Sequence, residues 1–157
     1  GRTVTNIPTD VLKRIADLPN ICGVKEASGN INQMMEVIAE VKSVHPDFAV
    51  LSGDDALTLP LIAAGGDGII SVVSNLAPKA VAELANTAIK GNMEEARKMH
   101  YKLLPFFKAA FVDGNPTSIK YAMSVKGICA ATVRLPLVEV TDSAKEVIKN
   151  ALDKCGL

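Results

Sequence analysis

The sequence predicts an α/β fold with a parallel sheet. Apolar runs short enough to be buried strands begin near residues 21, 48 and 68, the spacing of successive βα units. Between them lie stretches whose apolar residues recur at helical intervals. Hydrophobic residues make up 48% of the chain but aromatic residues only 4%, so the core must be built from Val, Ile, Leu and Ala. That composition suits parallel strands, which are apolar on both faces. Three such strands are too few to close a (β/α)8 barrel, and they leave two apolar edges. The 157 residues therefore read as part of something larger.

The elements follow in order. Val11, Leu12, Ile15 and Leu18 place a helix over Pro8 to Leu18, stopped by Pro19-Asn20. Ile21 to Lys25 is a short buried strand. Asn30 and Gln33 read as a capping box opening a helix to about Val44, with Met34 and Met35 as core filler on its apolar stripe. Phe48 to Ser52 is the second strand. Asp54 or Asp55 caps a short helix to Ala64, irregular at Pro60 and ended by Gly65-Gly66. Gly68 to Val73 is the third strand. Helices are expected from Pro78 to Gly91, from Asn92 to about Val112, from Pro116 to Lys126, and from Asp142 to before Gly156. The stretch from Ile128 to Val140 is irregular or extended. The natural division is a barrel part over 1–91 and a helical part over 92–157.

Composition excludes several classes. Lys+Arg and Asp+Glu are equal at 17 each, so a dedicated nucleic-acid binder is not expected. Lys79, Lys90, Arg97, Lys98, Lys102 and Lys108 form a solvated helix face without interleaved aromatics. No run of 18 apolar residues spans a membrane, and the start has no apolar signal core. Cys22, Cys129 and Cys155 are too few and too scattered for a disulfide framework or zinc site, which fits a reducing cytoplasm. The chain opens on Gly1-Arg2-Thr3 without a methionine, so its true start is expected elsewhere.

Polar residues end all three strands. Lys25 closes an apolar strand and shares a face with Ile21 and Gly23, whose missing side chain leaves room. Among apolar neighbours such an amine can act as a nucleophile; alternatively its charge simply reaches solvent. Ser52-Gly53-Asp54-Asp55 follows strand two. Gly53 permits close backbone approach to a ligand, while the acids serve equally well as a helix N-cap. Ile70 lies in strand three with its side chain expected in the core and its carbonyl free to face a site. His45 and His100 have no metal-ligand partner and read as structural or solvated. Tyr101 and Tyr121 sit at core-like spacing with hydroxyls expected to be satisfied. Gly65-Gly66-Asp67-Gly68 precedes a strand, so it is no dinucleotide fingerprint.

Taken together, three segments resemble one family. Gly23-Val24-Lys25-Glu26-Ala27-Ser28-Gly29-Asn30 is similar to the Schiff-base lysine motif of the dihydrodipicolinate synthase and N-acetylneuraminate lyase superfamily. Leu51-Ser52-Gly53-Asp54-Asp55 and Gly65 to Val72 resemble it in order and spacing, as does Arg134-Leu135-Pro136-Leu137. Lys-Glu-Ala-Ser-Gly-Asn and the opening Gly1-Arg2-Thr3 favour the synthase branch. The resemblance implies a (β/α)8 barrel of which this chain holds the last three βα units plus C-terminal helices. It implies Lys25 as the imine-forming amine, with Gly53 and Ile70 carbonyls and Arg2 binding substrate. It implies pyruvate and aspartate semialdehyde as substrates, no metal or organic cofactor, and a homotetramer in lysine and diaminopimelate biosynthesis. The threonine and tyrosines of the family's proton relay would lie in an N-terminal half outside this chain. Two alternatives stay open: a related aldolase for sialic acid or a 2-keto-3-deoxy sugar acid, and a half-barrel with no catalysis of its own.

Overall fold

A computed structural model of the chain describes residues 3–157. They form two compact units, one made of the residues up to Ser71 with Ala85–Met93, the other of Val72–Leu84 with Glu94–Leu157.

In the first unit, α1 (Thr9–Ala16), β1 (Gly23–Glu26), α2 (Ile31–Val37), β2 (Ala49–Ser52), α3 (Thr58–Ala63) and β3 (Gly68–Ile69) alternate along the chain. The strands form a parallel sheet in the order β1-β2-β3. Lys25 pairs with Leu51, and Leu51 with Gly68. Side chains alternate between the two faces of a strand, so these three residues share one face. Val24, Glu26, Val50, Ser52 and Ile69 share the other.

The second face is covered. Leu12 and Ala16 from α1, Met34 and Val37 from α2, and Val41, Phe48 and Leu61 pack with Val50 in one cluster. Met34, Val37, Val50 and Leu61 are wholly buried, and each contributes about 1.5–3 kcal/mol of hydrophobic stabilisation. The first face is open: Ala49 and Leu51 are half-buried, and Lys25 and Ile70 are exposed.

Local chemistry sets the connections. The Asn30 side chain accepts from the Asn32 N–H at 3.0 Å and caps α2. The expected capping box does not form, because the Gln33 amide turns away to Asn6, Ile7 and Glu26. After Val37 the helix widens into a π turn over Ile38–Lys42 instead of running regularly to Val44. Val37 and Val41 stay fully buried across that change, so core packing prevails over regular pitch. Met35 is exposed, so only Met34 of the pair fills the core. Asp54 caps a 3-10 turn over Asp55–Leu57, and α3 follows. Pro60 sits in the first turn of α3, where no intrahelical donor is required. β3 is two residues long rather than six. The Ile70 N–H still donates to Ser52 O at 2.8 Å, but β3 has no partner strand on its far side among the described residues, and nothing extends the ladder.

In the second unit, α5 (Met93–Ala109), α6 (Thr117–Val125) and α7 (Asp142–Cys155) follow α4 (Pro78–Ile89), which is divided between the units. α6 packs on α7, and residues 128–140 are irregular as predicted. His100 is buried on α5, and burial pushes its imidazole below the usual value. Tyr101 is 64% exposed rather than packed. It is one step off the stripe of Ala96, His100, Leu103 and Phe107, and meets the His100 ring edge to face. No helix among the described residues is long and apolar enough to cross a membrane.

Asp67 fastens the sheet. It accepts from the Val50 N–H at 2.8 Å and from the Lys42 ammonium, which also donates to Gly65 O at 3.2 Å. Burial raises its carboxyl, but the Lys42 and Val50 hydrogen bonds and the Lys42 charge outweigh that and hold it below the usual range. A group held low in the folded state adds stability that is complete above its unfolded value and is lost as pH falls through the folded one. Asp67 is partly exposed, so the contribution is below about 1 kcal/mol. Asp67→Asn is expected to lower stability slightly at neutral pH and to reduce the loss of stability between about pH 5 and pH 2. Denaturant titrations across that range check this; acid sensitivity equal to the parent's contradicts it.

Candidate active site

The open face of the sheet collects the polar strand ends. Lys25 stands at the end of β1, exposed, and its amine makes no hydrogen bond or ion pair with any other described residue. Its side chain runs over Gly53 at the end of β2. A Cβ built on Gly53 would lie 3.1 Å from Lys25 Cε, 2.6 Å from Ala27 Cβ and 3.0 Å from Glu26 O. The Gly53 N–H donates to that same Glu26 O at 2.6 Å. Gly53 thus allows a close approach, but of Lys25 and the β1 end. Gly23 serves the pairing of β1 with β2, since a Cβ there would meet Ala49 O at 2.5 Å.

Ile70 lies just past β3 on the same face. It is 45% exposed, so the expected core packing of its side chain does not occur. The carbonyl oxygens of Gly53 and Ile70 accept no hydrogen bond from a described residue. Arg2 lies outside the described residues. The structure therefore brings Lys25, Gly53 and Ile70 to one region.

The two acids after β2 differ. Asp54 is the N-cap, accepting from the Ala56 N–H at 2.8 Å, with its own N–H on Ser52 Oγ at 3.2 Å. Asp55 is 1% exposed and accepts a hydrogen bond from the Ser71 hydroxyl, linking the loops after β2 and β3. Sequence reasoning missed that link, since the two residues lie 16 apart and neither is unusual for a loop. It also missed Glu26. The signal was present: Glu26 has the parity of Val24, so it must point into the helix-covered layer, where a carboxylate needs donors. Its Oε1 accepts from the Ser28 N–H at 3.2 Å and Gln33 Nε2 at 3.3 Å. Lys25 and Glu26 both border a cleft of about 530 Å³, with Thr3, Thr5, Asn6 and Gln33. His45 is paired with Asp17 at 3.2 Å. No group of three His, Cys, Asp or Glu among the described residues is placed to hold a metal.

The open sheet face thus carries an amine that has no counter-charge among the described residues. Fold and site together define a part-barrel of parallel βα units with a lysine at its strand ends. Residues 1–155 match the Dihydrodipicolinate synthetase family. The chain is 51% identical over 154 residues to the 4-hydroxy-tetrahydrodipicolinate synthase of Protochlamydia amoebophila, covering 98% of this chain and 51% of that protein. It superposes on a monomeric dihydrodipicolinate synthase variant with a TM-score of 0.96 at 42% identity, over 100% of this chain and 53% of the other. For the dihydrodipicolinate synthase of Thermotoga maritima the TM-score is 0.93 at 42% identity, over 96% and 52%. The chain belongs to the dihydrodipicolinate synthase family. It spans about half the length of the curated relatives it matches, and its fold is that of part of a (β/α)8 barrel, as the sequence predicted.

The crowding at Gly53 is testable. Gly53→Ala is expected to cost about 1–3 kcal/mol, because two of the three contacts are backbone or Cβ atoms that cannot rotate away. Adding Ala27→Gly removes the shortest contact and should restore part of the loss. Denaturant unfolding measures both; a Gly53→Ala variant as stable as the parent contradicts the packing described.

Proposed function

We propose that the chain supplies the lysine-bearing, C-terminal half of a Schiff-base synthase. That enzyme condenses pyruvate with aspartate semialdehyde to give 4-hydroxy-tetrahydrodipicolinate. One observation carries the reading: the unpartnered Lys25 amine at the end of β1, on the open face beside Gly53 and Ile70. The names of the curated relatives favour the synthase over a sugar-acid aldolase.

The chemistry follows from the amine. Lys25 Nζ, as the free base, attacks C2 of pyruvate, and the resulting carbinolamine loses one water to give an imine. The imine nitrogen withdraws electrons, so a proton leaves C3 and an enamine forms. Enamine C3 attacks the aldehyde carbon of aspartate semialdehyde, and the new alkoxide takes up a proton. The amino group of that substrate then attacks C2, the ring closes, and the C2–Nζ bond breaks to return the lysine. One water is released overall, and no metal or organic cofactor takes part. The free carbonyls of Gly53 and Ile70 are acceptors for substrate or lysine protons. Arg2 would hold the semialdehyde carboxylate with its planar fork. The groups that carry the protons belong to the remaining strands.

Those strands are the chain's first partner in this reading. They cover the open sheet face and pair with the outer edges of β1 and β3. The division into a barrel part over 1–91 and a helical part over 92–157 belongs to the same proposal, with the helices from Asn92 to Leu157 adding contacts in a homotetramer. The setting is cytoplasmic lysine and diaminopimelate biosynthesis.

Pyruvate followed by borohydride should add the mass of a reduced pyruvate adduct to the Lys25 peptide of the complete protein. Lys25→Arg should abolish both adduct and turnover, since a guanidinium forms no imine at neutral pH. An adduct on another lysine overturns the assignment. Arg2→Ala should lower kcat/KM for aspartate semialdehyde by the equivalent of about 1.5–3 kcal/mol, the worth of a charged hydrogen bond. Unchanged kinetics with that aldehyde would point to the neighbouring aldolases.

A further inference from the structure

Glu26 follows Lys25 in β1 and projects to the opposite, helix-covered face, where it is 4% exposed. Its Oε2 is buried without a hydrogen-bond partner among the described residues. A carboxyl group in such a layer is costly unless donors satisfy it.

What Glu26 does is tie down the end of β1. Its Oε1 holds the Ser28 N–H, at the start of the loop to α2, and the Gln33 amide, on α2 itself. Gln33 is fixed in turn by two hydrogen bonds with Asn6, at 2.8 and 3.1 Å, and by Ile7 O at 3.3 Å. The Glu26 carbonyl holds the Gly53 N–H. The strand end is thereby bound to its own loop, to α2, to the segment before α1 and to the end of β2. Lys25 rides on that strand end, with Cε packed over Gly53. A misplacement of about 1 Å can cost on the order of a hundredfold when an amine must approach a carbonyl along one path.

We propose that Glu26 is a positioning residue for Lys25: its buried carboxylate, anchored to Ser28 and Gln33 on the covered face, fixes the β1 end so that the amine stands in one orientation on the open face. The inference rests on the reading of Lys25 as the imine-forming amine.

The test uses the complete protein, comparing the parent with Glu26→Leu, Glu26→Gln and Gln33→Leu. The readouts are the denaturant midpoint, kcat and KM for pyruvate per folded molecule, and borohydride trapping at Lys25. Glu26→Leu leaves the Ser28 N–H and the Gln33 amide without their acceptor and is expected to lower the midpoint; per folded molecule, kcat falls about 10–100-fold with the pyruvate KM nearly unchanged. Glu26→Gln retains an oxygen for Ser28 and Gln33 and should return kcat to within about threefold of the parent. Gln33→Leu, which removes a donor to Glu26 and leaves Lys25 itself unchanged, should fall between them. A parental kcat in Glu26→Leu overturns the proposal, as does a loss that Glu26→Gln does not reverse. If Glu26→Leu does not fold, Gln33→Leu decides alone: a lower kcat at constant KM supports positioning, and an unchanged kcat overturns it. A parent that traps no pyruvate at Lys25 would instead remove the proposed function, so the two failures are distinct.

Discussion

The helices of the first unit cover one face of the β1-β2-β3 sheet and leave the other open, and the site follows from that asymmetry. Val50 is sealed among Leu12, Met34, Val37 and Leu61. Because side chains alternate, burying Val24 and Val50 forces Lys25 and Leu51 outward. A one-residue shift of β1 would bury the lysine and expose Glu26. The core thus sets the register, and the register sets the position of the amine. Gly23 and Gly53 allow the strands and the lysine chain to pass as closely as this register requires.

Much of this was legible in the sequence because it is written in local patterns. Alternating strand and helix periods gave the element order, and Asn30, Asp54 and Gly65 marked boundaries through turn and capping chemistry. Lys25 stood out as a charge at the end of an apolar run. What was not legible depends on residues far apart in the chain. Gln33 abandons its local cap for Asn6, 27 residues away, and Asp55 meets Ser71 across the sheet. β3 stops early for want of a neighbouring strand, which no local pattern encodes. Tyr101 and His100 are adjacent on one helix, and only packing decides that the histidine is the buried one.

The same one-sidedness links fold to chemistry. A strand-end amine facing water on an isolated sheet would be an ordinary surface lysine. In the proposed complete barrel, where further parallel strands would enclose that face, it would be an amine in a sheltered, mostly apolar mouth that favours imine formation over competing solvation. Family membership and a match over about half of each relative agree with a sheet that continues beyond these three strands.

In the proposed enzyme the open face carrying Lys25 is the reacting face. A crystal structure of the complete protein reduced with borohydride in the presence of pyruvate tests it most directly. Electron density is expected to be continuous with Lys25 Nζ, on the side of the sheet shared with Leu51 and Ile70 and within hydrogen-bond reach of the Gly53 or Ile70 carbonyl. Density on a different lysine, or a Lys25 side chain directed into the layer of α1 and α2, would contradict it.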